Sequence, residues 1–370
     1  MRKIFTNAGY GAPGSITQNA GSMIPVLQAC LVDGFGDQTP TSITRSGTTA
    51  TMILPNAIDF TRTGVLNISG CDQADYNGEF RVTVVDPNTV TFTVANSPVT
   101  PATGTIVSRQ DGAGWTMPFA GTDLAAFKQG AGSNGLYLDV DDASRTDSAK
   151  VRGYETMSGV GVGLGQFPTT VQDVNCYWTR GTTGSDWIVI ADESFVMVWC
   201  PDNVLTYSTA GAWFFGDYRE VAGVNVFGTL LVSSNNSANA FYSLAILDAS
   251  PASVVYGRAA ARDYTQLGSS AEIAIVGNSS LTGYTGASGA GMDYPEPITG
   301  NVYMQELMVM HKGGAKNLIG YVDGAFTMLH YLPFGNSSIS YFAGSGDFAG
   351  DEFVYMPCQA NTALVFRISD

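Results

Sequence analysis

Residues 134–157 read NGLYLDVDDASRTDSAKVRGYETM. Leu136, Leu138 and Val140 alternate with Tyr137 and Asp139, the period of two that marks a strand with one buried face. Residues 141–148 hold no large apolar side chain and suit a solvated turn. Ala149, Val151 and Gly153 then alternate with Lys150, Arg152 and Tyr154, which gives a returning strand. The stretch is a β-hairpin, and most of the chain repeats its style of short strands, Gly-rich turns and little helix. The fold class expected is mainly β. It comprises a β-sandwich or barrel-like main domain, one short N-terminal helix and an inserted small all-β module, Ig-like or barrel-like.

Downstream of the hairpin, residues 186–191 and 194–199 are near-continuous apolar runs, as expected of strands covered on both faces. Asp192 and Glu193 make the turn between them. Residues 228–232 and 240–247 continue the pattern across a polar turn at 233–236, and strand patterning returns at 302–311, 318–322 and over the last forty residues. Residues 277–301, GNSSLTGYTGASGAGMDYPEPITGN, form a long loop without periodicity, of the kind that is either functional or mobile.

Upstream, residues 22–32 are the best helix. Ser22 is placed to cap it, Pro25 falls in its first turn and Gly34 can end it in a left-handed conformation. Met23, Leu27, Cys30 and Leu31 share a face that should pack on a sheet. Residues 1–19 are Gly-, Asn- and Ala-rich. Such an arm either frays or lies across a neighbouring subunit. Phe5, Tyr10 and Ile16 on the arm, with Tyr284 and Tyr294 in the long loop, are the candidate interface residues.

Residues 41–110 differ in character: rich in Thr and Val, without Lys or Trp, and with five of the 44 glycines. Gly78-Glu-Phe-Arg-Val-Thr-Val, the turn Asp86-Pro-Asn88 and Val90-Thr-Phe-Thr-Val form a hairpin signal. The expected organisation is 1–40 as arm and helix of the main domain, 41–110 as an inserted module, and 111–370 as the main domain. Module termini tend to lie close together, which makes such insertions tolerable.

The totals narrow the function. The chain has 370 residues, 45% hydrophobic and 13% charged, with a net charge of −15. The acidity repels phosphate backbones, so nucleic acid is not an expected partner. Low charge with many Gly and Tyr fits a surface partly covered by other chains, although an ordinary Gly-rich β protein has the same composition. The five cysteines are scattered without a CxxC pair and read as buried thiols made in a reducing cytoplasm. Met1-Arg-Lys is followed by no apolar run, so no signal peptide is expected, and no 18-residue apolar run suggests membrane insertion.

No catalytic constellation stands out. The two histidines, His311 and His330, lie outside any nucleophile-elbow context. An EF-hand starting at Asp139 would need an acid or amide at 143, Gly at 144 and Glu at 150; the chain has Ala143, Ser144 and Lys150. Asp139, Asp141 and Asp142 therefore read as a solvated acidic turn. Gly159-Val-Gly-Val-Gly-Leu-Gly165 lacks the Lys-Ser/Thr of a phosphate loop and reads as a flexible or edge-strand segment. Asp347, Asp351 and Glu352 offer a carboxylate pair of the kind glycoside hydrolysis uses, but any acidic surface does so by chance. Trp213, Phe214, Phe215 and Tyr218 could stack on sugars or simply fill a core. No catalytic residue, cofactor or metal is expected.

Two resemblances add to this reading. ISGCDQADYNGEFRVTVVDPNTVTFTV (68–94), with the exit SPVTPATGTI, resembles a small β-module recurrent in bacteriophage structural proteins. The segment from Gly21 through Gly36, joined across the insert to Gly114-Trp-Thr-Met-Pro-Phe119 and Gln129-Gly-Ala-Gly-Ser-Asn-Gly135, resembles a family of tailed-phage virion proteins. So do Trp213-Phe-Phe-Gly-Asp-Tyr218 and the C-terminal Leu332-Pro-Phe and Gly344-Ser-Gly-Asp-Phe-Ala-Gly350. The resemblance implies a non-enzymatic virion component, made in the host bacterial cytoplasm. It would assemble in multiple copies on the outer particle with itself and other virion structural proteins, in the tail, baseplate, neck or capsid exterior. The alternative is a receptor- or glycan-binding tail protein, with a host surface glycan among its partners.

Overall fold

The structure is a computed structural model that describes residues 1–58, 62–170, 176–181, 186–201, 210–221, 228–233, 258–261, 270–276, 298, 303–311, 318–328, 338–358 and 362–370. The chain is mainly β, with one short helix near the N-terminus and curled sheets in a sandwich- or barrel-like arrangement. Neighbouring described strands pair antiparallel throughout. The expected segments 240–247 and 277–301, apart from Ile298, lie outside the described residues.

The largest sheet begins with Lys3–Thr6, Ile188–Ala191, Phe195–Cys200, Gly211–Asp217 and Thr229–Val232 and continues to Glu352–Cys358 and Ser340–Ala343. It curls until distant strands meet. Phe195 and Phe366 lie 5.6 Å apart between ring centroids, and Trp199 Nε1 donates to Pro357 O at 2.9 Å. Ile190, Met197, Trp199 and Phe214 fill the interior of this curl with Leu364 and Phe366. The alternate residues Val189, Val196, Val198, Trp213 and Phe215 face a second layer. That layer is the five-stranded sheet of Thr116–Gly121, Leu124–Lys128, Tyr137–Asp141, Ser148–Tyr154 and Tyr177–Thr179. Strands with a core on each face have no reason to alternate, which explains the apolar runs at 188–191 and 195–200.

The opening hairpin lies in this second sheet, Val140 opposite Val151. Its turn is exposed at Ala143, Ser144 and Thr146, but its flanks depart from the expectation. Asp142 and Ser148 are fully buried, and Asp139 is 1% exposed. The Asp142 carboxylate, not Ser22, caps the helix Met23–Gln28, accepting from Met23 N at 2.8 Å and Ile24 N at 3.2 Å. Ser22 Oγ instead donates to Thr17 O. The helix runs on through a wider turn, Ala29–Asp33, to Gly34 at φ +72°, where a Cβ would meet Gln110 O at 2.3 Å.

The N-terminal arm is also corrected. Lys3–Thr6 pairs with Ile188–Ala191, and Thr17 bridges to Gly181. Trp187 Nε1 donates to Gly14 O at 3.1 Å, and Phe5 and Ile16 are buried in the chain's own core. A four-residue strand among Gly and Ala leaves too short a pattern to read, yet its apolar side chains are spent within the chain.

The third sheet contains seven strands, all from residues 35–110, beginning with Phe35–Gln38 and so upstream of the expected boundary at 41. Its edge strand Ser42–Ser46 is shielded by the loop at 94–103, since Ala102 N donates to Ile43 O and the Arg45 side chain donates to Ser97 O. Its core is continuous with the barrel interior. Arg62 pairs with Glu352 at 2.7 Å and Arg81 with Asp370 at 2.8 Å across the junction. Phe35 pairs with Gln110, which brings Gly34 and Asp111 together. Excising 35–110 with a short Gly-Ser splice should therefore leave the barrel and its second layer folded, at a lower melting temperature because these ties and the shared core are lost. All five tryptophans lie outside the excised segment, so near-UV dichroism reports on what remains. Collapse of that signal, or aggregation, would refute the expectation.

Candidate functional site

Where the arm, the seven-stranded sheet and the linker 111–114 meet, the described surface opens into a cleft of about 360 Å³. Lys3 enters it because its strand alternates: Ile4 joins the barrel interior, while Lys3 projects to the other side with Phe5 two residues on. The Lys3 side chain is 8% exposed. Its Nζ donates to the Glu79 carboxylate, to Gly112 O at 2.8 Å and to Asp111 O at 3.4 Å. Glu79 stands directly opposite Asn67 on the neighbouring strand, and Asn67 Nδ2 donates to the Asp111 carboxylate. Arg109 Nε lies 3.0 Å from Asp111 Oδ1 on the far side. Glu193 closes the cleft, its carboxylate accepting from Gly132 N at 3.0 Å. The site thus gathers one amine, one carboxamide and three carboxylates.

The other buried acids are structural ties. Asp142 accepts from Arg180 Nε at 2.8 Å with both side chains fully buried, and Arg180 also donates to Arg145 O and Asp142 O at 2.6 Å. Asp139 accepts from Arg152 Nη1 at 3.1 Å and Gly161 N at 2.9 Å. Burial raises the pKa of both carboxyls, opposed by these cations and backbone amides. Asp217 is raised by burial against neutral donors alone: Thr229 Oγ1 at 2.6 Å, Gln129 Nε2 at 3.0 Å and Asn134 N at 2.9 Å. All five cysteines are buried thiols outside any disulfide; burial pushes Cys358 up to about 12, which leaves it inert as a nucleophile near neutrality.

The sequence-derived candidates are scattered. Phe5 and Ile16 are core, Tyr10 is 45% exposed, and Tyr284 and Tyr294 lie outside the described residues, as does His330. His311 ends the strand Met304–His311. Gly159-Val-Gly-Val-Gly-Leu-Gly165 contributes to a two-stranded hairpin, Thr156–Gly159 with Val162–Leu164, whose tip is held by Asp139 through Gly161 N. Glu352 is engaged by Arg62 and Asp351 by Ser369 Oγ at 3.0 Å, so they do not form an open pair. Trp213, Phe214, Phe215 and Tyr218 are buried, which removes them as a sugar platform. Among the described residues no group of three or more His, Cys, Asp or Glu could hold a metal ion. Sequence reasoning missed Lys3, Asn67, Glu79 and Asp111. The one local signal was a lysine inside an Ile-Phe strand; the rest depends on pairing across 108 residues from Lys3 to Asp111. No protein-family model matches the chain, and no curated protein matches it.

Proposed function

We propose that the chain is a non-enzymatic building block of a bacteriophage virion, present in multiple copies on the outer particle. One observation carries this reading. Three segments that resemble tailed-phage virion proteins, distant in sequence, converge on a single joint between the barrel and the second layer. Trp115 Nε1 donates to Asp192 O at 2.7 Å, Gly130 N donates to Glu193 O at 2.8 Å, and Gln129 and Asn134 both donate to Asp217. The residues that carry the resemblance thus include several that fix layer geometry, which supports a role in shape and assembly. Net charge of −15 favours a place away from packaged DNA. Its partners would be its own copies and other virion structural proteins. The glycan-binding alternative has lost its aromatic platform to the core, and no observation favours it.

The test is quantitative mass spectrometry of purified particles with antibody labelling in the electron microscope, beside sedimentation of the isolated protein. The expected result is many copies per particle at an external position and self-association in solution. Absence from particles, together with a monomer at high concentration, would overturn the proposal.

A further inference from the structure

Lys3 is a buried amine in contact with the carboxylate of Glu79, which stands opposite the carboxamide of Asn67, and we propose that Lys3 and Asn67 join in an intramolecular isopeptide bond. The cross-link would tie the first strand of the barrel to the seven-stranded sheet. An amine attacks a carboxamide when three conditions hold together. The amine must be held against the carbonyl carbon, a base must remove its proton, and an acid must protonate the departing nitrogen.

The cleft gathers a group for each role: Lys3 and Asn67 both donate to Asp111, and Glu79 contacts Lys3 and faces Asn67. Lys3 is 7% exposed and donates to Glu79, which places a carboxylate on the proton that must leave. Asn67 faces Glu79 across an antiparallel pair, and directly opposed side chains lie roughly 5 Å apart at Cβ on the same face of the sheet. Asn67 presents its Nδ2, the leaving nitrogen, to the Asp111 carboxylate. The backbone oxygens of Asp111 and Gly112 hold the Lys3 amine beside that same residue. Base, nucleophile and electrophile are thus gathered in one cleft, and the Asp111 carboxylate, anchored by Arg109, is placed to relay a proton to the leaving nitrogen.

The step balances without a co-reactant. Glu79 takes one proton from the Lys3 ammonium, and Nζ then bonds to Cγ of Asn67. A second proton passes from Nζ through Asp111 to Nδ2, the Cγ–Nδ2 bond breaks and ammonia leaves. The new amide keeps one hydrogen on Nζ, and the proton on Glu79 goes to solvent. Nothing is oxidised or reduced. The carboxylates and the cleft wall serve as positioned acid and base, with water access limited by the burial of Lys3.

Intact-mass spectrometry of the purified full chain decides the matter. The expected mass is below the sequence mass by one ammonia, and digestion should give a branched peptide joining Lys3 to Asn67. Lys3→Arg keeps the charge facing Glu79 and should abolish the loss. Asn67→Asp should convert the loss of ammonia into loss of one water. Glu79→Gln should leave the chain folded, by far-UV dichroism, but unlinked. A wild-type mass equal to the sequence mass, with Lys3 trypsin-accessible after unfolding, overturns the proposal. A branch that maps to Glu79, with loss of water, overturns the assignment of Asn67 as electrophile. These readouts stand whether or not the chain is found in particles.

Discussion

Replacing Arg180 with methionine should cost about 3–5 kcal/mol, the usual penalty for leaving a buried carboxylate without its cation. Asp142 and Arg180 are both fully buried, and the guanidinium also satisfies the carbonyls of Arg145 and Asp142. The carboxylate in turn caps the helix through Met23 N and Ile24 N. Methionine retains the bulk and removes the charge, so the loss measures electrostatics more than a cavity. The double variant Asp142→Asn with Arg180→Met should recover part of the loss, since it removes the stranded charge while keeping a side-chain oxygen for the helix amides. Urea midpoints and slopes for the three variants give the comparison. A single-variant cost below about 1 kcal/mol would mean that water reaches the pair and the tie is dispensable.

The same variant should respond to pH in a defined direction. Burial already raises Asp142, and Arg180 opposes it. Without Arg180 the folded-state value moves further above the unfolded one. A carboxyl raised in the folded state contributes stability that is present in acid and lost as pH rises through its folded value. The deficit of the Arg180 variant relative to the parent should therefore narrow on going from neutral pH into the acid range. A deficit that widens in acid would contradict this account.

What the sequence made legible follows the range of the forces involved. The 134–157 hairpin, the turn at Asp192 and Glu193 and the doubly covered strands beside it rest on local periodicity, and each is present in the structure. The helix was legible from its apolar face, but its cap was not, because Asp142 comes from 119 residues away. Asp139 and Asp142 read as solvated since a run of acids carries no mark of the arginines that will meet it; Arg180 lies 38 residues beyond Asp142. The arm failed for the opposite reason. Phe5 and Ile16 were visible as apolar residues, but nothing local says whether an apolar residue is covered by its own chain or by another. The cleft was hidden altogether, because Lys3, Asn67, Glu79 and Asp111 become neighbours only through the sheet that carries Asn67 and Glu79.

Trp199 offers the sharpest test of how the barrel closes. Its side chain is fully buried in the interior, between Ile188 and Ala212 in register, and its Nε1 spans the curl to Pro357 O at 2.9 Å. Trp199→Ala should cost about 3–5 kcal/mol for the lost contacts and cavity, and stranding the Pro357 carbonyl adds about 1–3 kcal/mol if water cannot reach it. Trp199→Phe keeps most of the bulk and removes the hydrogen bond. Trp213 is the natural control: it is equally buried, on the layer between barrel and second sheet, but its Nε1 has no hydrogen-bond partner among the described residues. Trp213→Phe removes an unsatisfied donor rather than a satisfied one, so it should cost less than Trp199→Phe. Chemical denaturation of the two phenylalanine variants separates packing from the cross-barrel tie. If the two cost the same, or Trp213→Phe costs more, the hydrogen bond to Pro357 contributes nothing and the curl is closed by apolar packing alone.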